Sequence, residues 1–123
     1  MTRLWKTCAY CGRRMDYRKK WAGVWDEVRY CSRACRSRRI GATDRALEEA
    51  IMTLLSARGR GQSICPSEAA RRVRPDGWRP LMEQARCAAR RLVAAGRLEI
   101  TQKGQRVDPG AARGPIRLRR PRR

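Results

Sequence analysis

Four of the six cysteines lie in the first third of the chain, and their spacing constrains the fold more than any other feature. The pattern is Cys8-x2-Cys11, then 19 residues, then Cys31-x3-Cys35. A segment this short rarely forms a sufficient apolar core, so it normally needs a metal ion or disulfides. Four thiolates in two closely spaced pairs are typical of structural zinc sites. We therefore expect residues 1–41 to form a zinc-binding finger.

The residues around these cysteines indicate a treble-clef-like finger. Gly12 gives the backbone the freedom to leave a turn that holds the first cysteine pair. The segment between Trp21 and Tyr30 suits a short hairpin packed beside the metal. A helix that begins near Ser32 would present the second cysteine pair on one face.

Two other uses of four cysteines compete with structural zinc. A redox Cys-x-x-Cys requires a thioredoxin-like βαβ context, which the sequence lacks. An iron–sulfur cluster stays open as an alternative, since four thiolates also hold iron. A closed four-thiolate site leaves no free coordination position on the ion. Zinc in such a site would therefore be structural and not catalytic.

Apolar residues at helical spacing predict three helices in the second part of the chain. Thr43-Asp44 suits the N-terminus of the first helix, Pro66 fits the first turn of the second, and Gly96 suits the C-terminal end of the third. The third helix should span about residues 78–95. Its predicted inner face consists of Trp78, Leu81, Ala85, Ala88 and Leu92.

Beyond the third helix the apolar period changes from helical to two, which predicts strands. The alternation occurs at residues 98–101 and again at residues 116–118, and Lys103-Gly104 predicts a turn. Three helices followed by a β-ribbon is the order of a winged helix-turn-helix domain.

The fold expected from these patterns is α+β. It comprises a four-cysteine treble-clef-like finger at residues 1–41, a winged helix-turn-helix domain at residues 42–119 and a basic disordered tail at residues 120–123. We expect Cys65 and Cys87, outside the finger, to be small buried hydrophobic residues.

The charge balance favours a polyanionic partner. The chain carries 31 Lys and Arg against 11 Asp and Glu, a formal net charge of +20 at pH 7. Such a charge opposes compaction unless a polyanion neutralises it, and phosphate contacts with nucleic acid also release counterions. We therefore expect duplex DNA binding, with a regulatory or nucleoid-associated role.

The winged-helix expectation assigns roles to particular basic residues. The third helix would direct Arg86 and Arg90 into the major groove, with Arg79 near the groove edge. The predicted wing, the basic tail and the finger would hold phosphates. The residues assigned to phosphates are Lys103, Arg106 and Arg113 in the wing, and Arg36 and Arg39 in the finger.

Two other partners are considered beside DNA. The first is an acidic protein surface, such as that of a topoisomerase or polymerase, with this chain as an adaptor or inhibitor. The second is RNA or the ribosome, where Tyr10, Tyr17 and Trp21 would stack on bases. Enzymatic activity is not expected, because the sequence has no histidine, no phosphate-binding loop and no carboxylate pair at a plausible spacing.

The sequence also indicates a cytoplasmic location. No stretch approaches the ~18 consecutive apolar residues of a membrane span, and the N-terminus lacks an apolar signal core. Thiols in the cytoplasm stay reduced, which suits metal binding.

Specific strings in both parts resemble two bacterial families. Residues 8–39, with Cys-Ala-Tyr-Cys-Gly, Arg-Lys-Lys-Trp and Trp-Asp-Glu-Val-Arg-Tyr-Cys-Ser, resemble domain of unknown function 2256. Residues 44–119, with Cys-Pro-Ser-Glu-Ala-Ala-Arg, Asp-Gly-Trp-Arg-Pro-Leu-Met and Gly-Pro-Ile-Arg-Leu-Arg, resemble domain of unknown function 3253. The resemblance implies a two-part layout and a bacterial origin. Tyr-Cys-Ser-x-x-Cys is also similar to a string in zinc-ribbon inhibitors of DNA gyrase.

Overall fold

A short antiparallel hairpin opens the chain in the computed structural model, which describes residues 4–121. Strands β1 (Trp5–Thr7) and β2 (Arg14–Asp16) pair with Lys6 opposite Met15. The turn between them, residues 8–13, is called the knuckle below and contains the first cysteine pair. Helix α1 (Arg33–Arg38) follows later in the finger. Ser32 caps this helix by accepting a hydrogen bond from the Cys35 N–H at 3.2 Å, as the predicted start required.

The segment between β2 and α1 differs from the predicted hairpin. It forms two 3₁₀ turns, Lys19–Trp21 and Trp25–Glu27. The buried Trp25 organises them, because the ring of Trp21 stacks on it with centroids 5.5 Å apart. Lys6 also donates hydrogen bonds to the carbonyls of Trp25 and Val28. Aromatic stacking and the hydrogen bonds of Lys6 therefore determine the conformation of this segment. The local composition alone had favoured paired strands.

The three helices predicted in the second part are present. They are α2 (Ala42–Ser56), α3 (Pro66–Val73) and α4 (Met82–Ala94), the last preceded by a 3₁₀ turn at Arg79–Leu81. Helix α2 begins before the predicted Thr43-Asp44. Its N-terminus is stabilised by Asp44, whose carboxylate accepts a hydrogen bond from the Gly41 N–H at 3.0 Å.

A four-stranded antiparallel sheet completes the second part, with the strand order β3-β6-β4-β5. Its strands are β3 (Ser63–Ile64), β4 (Glu99–Gln102), β5 (Gln105–Arg106) and β6 (Arg117–Arg119). Lys103 and Gly104 both have positive φ, 51° and 80°, as a tight hairpin turn requires. Strand β3 was not predicted, since two residues are too few to show a period.

The main core lies where the three helices meet the sheet. The predicted inner face of α4 is buried at Leu81, Ala85, Ala88 and Leu92, whereas Trp78 is half-buried. The largest fully buried side chains of this core are Leu47, Ile51, Leu55, Ile64, Leu81, Ile100 and Leu118. The structure is therefore α+β, with a small sheet and a cysteine cluster followed by three helices and an antiparallel sheet.

The end of the described chain is held by a contact with the loop that follows α2. Arg120, predicted to begin a disordered tail, is half-buried and donates a hydrogen bond to the Arg58 carbonyl at 2.6 Å. Arg122 and Arg123, the last residues of that predicted tail, lie outside the described residues. Within residues 4–121, no helix has the length and apolar character needed to cross a membrane.

Candidate metal centre and nucleic-acid interface

The four predicted metal ligands converge in the finger. The Sγ atoms of Cys8, Cys11, Cys31 and Cys35 all lie within 4.8 Å of one another. Cys31 Sγ is 3.6 Å from Cys11 Sγ and 3.6 Å from Cys35 Sγ, and all four cysteines are free of disulfides. Thiolates ~2.3 Å from a tetrahedral ion would be about 3.8 Å apart. The cluster can therefore hold a metal ion.

Backbone hydrogen bonds shape the knuckle independently of any bound metal ion. The Cys8 N–H donates to the Arg13 carbonyl at 2.8 Å, and the Gly12 N–H donates to the Cys8 carbonyl at 3.0 Å. The Cys31 N–H donates to Cys8 Sγ at 3.4 Å, which brings the second cysteine pair to the first. Because N–H donors favour a thiolate over a thiol, this arrangement suits metal ligation.

The thiol groups influence one another's protonation. A hydrogen bond from Cys11 lowers the pKa of Cys8 to about 4, whereas the same contact raises the pKa of Cys11. Burial raises the pKa of Cys31. Four thiolates this close repel one another, so full ionisation of the cluster needs a cation among them.

The knuckle docks on α4. Arg90 Nε donates to the Cys11 carbonyl at 2.6 Å, and Arg91 Nη1 donates to the Tyr10 carbonyl at 2.5 Å. The Tyr10 hydroxyl in turn donates to the buried Asp44 carboxylate at 3.0 Å. Cys87 of α4 packs in the same small core as the cysteine cluster. The finger and the helices are thus joined by buried polar contacts as well as by chain connectivity.

This docking corrects the predicted position of Arg90. We expected its side chain on an outer face of α4, directed into a DNA groove. Instead its side chain is 6% exposed, with the guanidinium also 3.4 Å from the Glu83 carboxylate and 3.3 Å from Cys87 Sγ. The guanidinium satisfies a knuckle carbonyl that would otherwise be buried without a donor, so Arg90 is part of the interior.

Arg86, the second predicted groove-facing residue, is also engaged within the protein. It is half-buried, and its guanidinium donates to the Gly114 carbonyl at 2.6 and 3.3 Å. Gly114 belongs to a long loop, residues 107–116, that connects β5 to β6. Gly110 of the same loop lies against Arg13 and Arg14 of the finger. The long loop and the knuckle thus contact the outer face of α4 at Arg86 and Arg90, whereas Arg79 and Glu83 stay exposed.

The other six predicted contact residues are exposed. They are Arg36, Arg39, Arg79, Lys103, Arg106 and Arg113. Arg79 lies over the Trp78 ring, 4.6 Å from its centroid, and Arg71 lies 4.4 Å from the same ring. Arg106 is 3.8 Å from the Glu99 carboxylate, but its side chain stays 75% exposed. The structure brings Lys103 and Arg106 to one hairpin, whereas Arg36 and Arg39 are at the C-terminal end of α1.

Three residues of the docking interface were not predicted. The sequence patterns suggest base stacking for Tyr10, indicate only a helix N-terminus for Asp44 and assign no role to Arg91. Cys87 offered a signal, because helical spacing places this small apolar residue on the same face as the charged residues Glu83 and Arg90. An apolar residue on a predicted outer face indicates that something packs there.

The family comparisons agree with this two-part organisation. A family model described as "Uncharacterized protein conserved in bacteria (DUF2256)" matches residues 4–38, and one described as "Protein of unknown function (DUF3253)" matches residues 44–121. Both resemblances seen in the sequence are thereby confirmed. No curated protein matches the chain. Since the larger match covers more than half of its length, the chain belongs to the family of proteins of unknown function DUF3253, and its N-terminal segment is similar to DUF2256.

Proposed function

We propose that the protein is a zinc-containing nucleic-acid-binding protein that holds duplex DNA mainly through its phosphates. The observation that carries this proposal is the excess of free surface cations. Several acidic side chains of the protein already form ion pairs with arginines, such as Glu48 with Arg91 and Glu68 with Arg58. None of the exposed residues Arg36, Arg39, Arg79, Lys103 and Arg113 forms an ion pair with an acid that the structure describes.

The order of elements supports a winged-helix interpretation of the second part. Helix, strand, two helices and then a hairpin with a returning strand is the order found in winged helices, where the third helix meets the groove and the wing grips the backbone. Here α4 is the third helix, and the hairpin with Lys103 at its tip is the wing. The finger, with a knuckle and a helix that supply the ligands, similarly supports a treble-clef assignment.

The docked finger changes how such a domain would meet DNA. With Arg90 buried and Arg86 held by the long loop, few side chains of α4 are free to read base edges. The exposed cations lie instead at the start of α4, on the hairpin and on the finger. Phosphate contacts position a protein on DNA without selecting a sequence. We therefore propose binding with weak sequence preference.

Zinc fits the cysteine cluster on the chemistry of its donors. Soft thiolates favour zinc or iron over magnesium or calcium, which prefer oxygen ligands. With all four positions supplied by protein, the ion would have no site for a substrate. Its proposed task is structural: it holds the knuckle in place against α4.

A second candidate function is an adaptor that binds an acidic protein surface. The partly covered outer face of α4 favours it, because a helix with Arg86 and Arg90 engaged inside the protein has few side chains left to read DNA. Salt dependence alone would not separate the candidates, since both use charge. Competition between a duplex and an acidic polypeptide separates them, because a phosphate-directed surface should prefer the duplex.

Binding to a labelled duplex of random sequence should weaken steeply with salt. If six or more phosphates are contacted, affinity should fall by about a thousandfold between roughly 50 and 200 mM salt. The double substitution of Lys103 and Arg113 to alanine should lower the slope of log affinity against log salt by about 1.8, or about 0.9 per lost phosphate contact. Fluorescence anisotropy measures both quantities.

Arg97→Ala is the matched control for this experiment. Arg97 is an exposed arginine that lines a surface depression with Glu48 and Glu49, and none of the proposed DNA-binding residues lines this depression. Its loss should leave the salt slope unchanged. Salt-independent binding, or an equal effect of Arg97→Ala, would contradict the proposal. A strong preferred site in a selection from random duplexes would contradict the weak sequence preference.

A further inference from the structure

The finger contains a cleft to which, of the proposed duplex contacts, only Arg36 contributes. It has a volume of about 470 Å³ and opens between the 3₁₀ turns and the start of α1. This volume is within the range of small-ligand sites, roughly 300–1,000 Å³. Trp21, Val24 and Tyr30 contribute apolar surface to it, and Lys20, Arg33 and Arg36 contribute charge. We call it the finger cleft.

Trp21 forms the aromatic wall of the finger cleft, and packing against Trp25 holds its ring in place. Trp21 stacks on the buried Trp25 with an interplanar angle of 25°, and the edge of Tyr17 meets Trp25 at 85°. Lys6 ties Trp25 to Val28 by donating to both carbonyls. A ring held in this way loses little conformational entropy when a ligand stacks on it, so the wall is preorganised.

The finger cleft combines apolar exposure with positive charge. Val24 is 44% exposed, which is high for a large apolar side chain beside charged neighbours. Lys20 Nζ lies 5.2 Å from the centroid of the Trp21 ring. Four cations line the cleft, Lys20, Arg29, Arg33 and Arg36, against the carboxylate of Glu27. The surface therefore suits a planar group that carries a negative charge.

We propose that the finger cleft binds an unpaired nucleotide of single-stranded nucleic acid, with its base against Trp21 and its phosphate near Lys20 and Arg33. This inference rests on the proposed nucleic-acid binding and adds a second mode to it. Base–aromatic stacking with a basic rim is the general means of binding single strands without sequence preference. Paired bases within a duplex cannot offer a free face for stacking. An acidic peptide would satisfy the cations but leave the aromatic wall unused.

The test compares single-stranded and duplex oligonucleotides of equal length by fluorescence anisotropy, with the full-length, metal-loaded protein. Trp21→Leu keeps apolar bulk over Trp25 but removes the π-face. It should weaken single-strand binding by about 5- to 150-fold, the loss expected for one stacked base. Trp21→Tyr keeps a stacking face and should retain single-strand affinity within about threefold. Metal content and circular dichroism check that each variant is folded.

Trp5→Leu is the matched control. Trp5 is 39% exposed and has Arg14 5.0 Å from its ring centroid, so it offers the same chemistry outside the finger cleft. Its loss should not change single-strand affinity. Arg33→Ala should weaken single-strand binding without altering the fold, because Arg33 is exposed. This second variant keeps the test decisive if Trp21→Leu does not fold.

The outcomes separate this inference from the proposed function. Equal single-strand affinity in Trp21→Leu and Trp5→Leu, with duplex binding intact, would overturn the cleft assignment alone. Loss of duplex binding by the wild type with a persistent Trp21 effect on single strands would overturn the duplex proposal alone. Displacement of the single strand by a polyglutamate peptide at equal charge concentration would assign the cleft to an acidic protein and overturn the nucleotide assignment.

Discussion

Removal of the metal by a chelator is expected to unfold the finger while α2, α3 and α4 stay folded. The small core of the finger depends on the cluster, because three of its buried members, Cys8, Cys11 and Cys35, belong to the proposed metal site. Structural zinc contributes on the order of 10–16 kcal/mol of apparent binding free energy near neutral pH. Hydrogen exchange, measured residue by residue before and after chelation, should show protection lost in the finger and kept in the main core.

A ligand variant provides an independent test of the same prediction. Cys31→Ser should reduce metal affinity and expose the finger, whereas Cys65→Ser, a cysteine outside the cluster, should do neither. Elemental analysis should find about one zinc per chain. Iron in its place, or a finger that stays protected after chelation, would contradict the assignment of structural zinc.

Loss of the metal should also alter α4 without unfolding it. Arg90 and Arg91 would lose their acceptors, the carbonyls of Cys11 and Tyr10. Arg90 and Arg91 would keep their carboxylate partners, Glu83 and Glu48, but the N–H groups freed from the knuckle would be left for water or for an anion. The metal-free protein should therefore have more accessible positive charge than the metal-loaded form. In this respect the finger acts as a cover for one face of the helix.

The inner face of α4 could be predicted because its period is regular. Leu81, Ala85, Ala88 and Leu92 recur at intervals of three or four residues, and all four are buried. The convergence of the four cysteines could be predicted for a similar reason, since thiolate spacing is a local property of the chain. In both cases the information lies within a few turns of backbone or in a recurrent motif.

The second buried face of α4 could not be predicted in this way. Arg90 and Arg91 have the spacing of solvated charges, and their partners lie some 80 residues earlier in the chain. A periodic pattern shows which residues share a face, but it does not show what covers a polar face. The prediction of a hairpin between Trp21 and Tyr30, where the structure has 3₁₀ turns around Trp25, was wrong for the same reason. A short aromatic segment suits a strand or a turn, and here tertiary stacking decides between them.

Gly12→Ala is expected to separate the finger from α4. Gly12 is buried with φ of 76°, a conformation that costs an L-residue about 1–2 kcal/mol. A Cβ there would lie 2.5 Å from the carbonyl carbon of Arg90 and 2.7 Å from the backbone nitrogen of Arg91. These atoms belong to a packed helix and cannot move aside easily, which adds about 1–3 kcal/mol of steric cost. The variant should therefore lose about 2–5 kcal/mol in the free energy of unfolding.

Gly96→Ala separates the cost of the steric clash from the cost of the backbone conformation, because it has the second cost without the first. Gly96 has the same φ, 76°, but a Cβ there would meet nothing within 4 Å. Its substitution should cost only the backbone term, about 1–2 kcal/mol. Denaturant unfolding of the two variants gives the difference, and proteolysis shows whether the finger is released in Gly12→Ala. Equal destabilisation of the two variants, with the finger still protected, would show that the knuckle does not depend on close approach to α4.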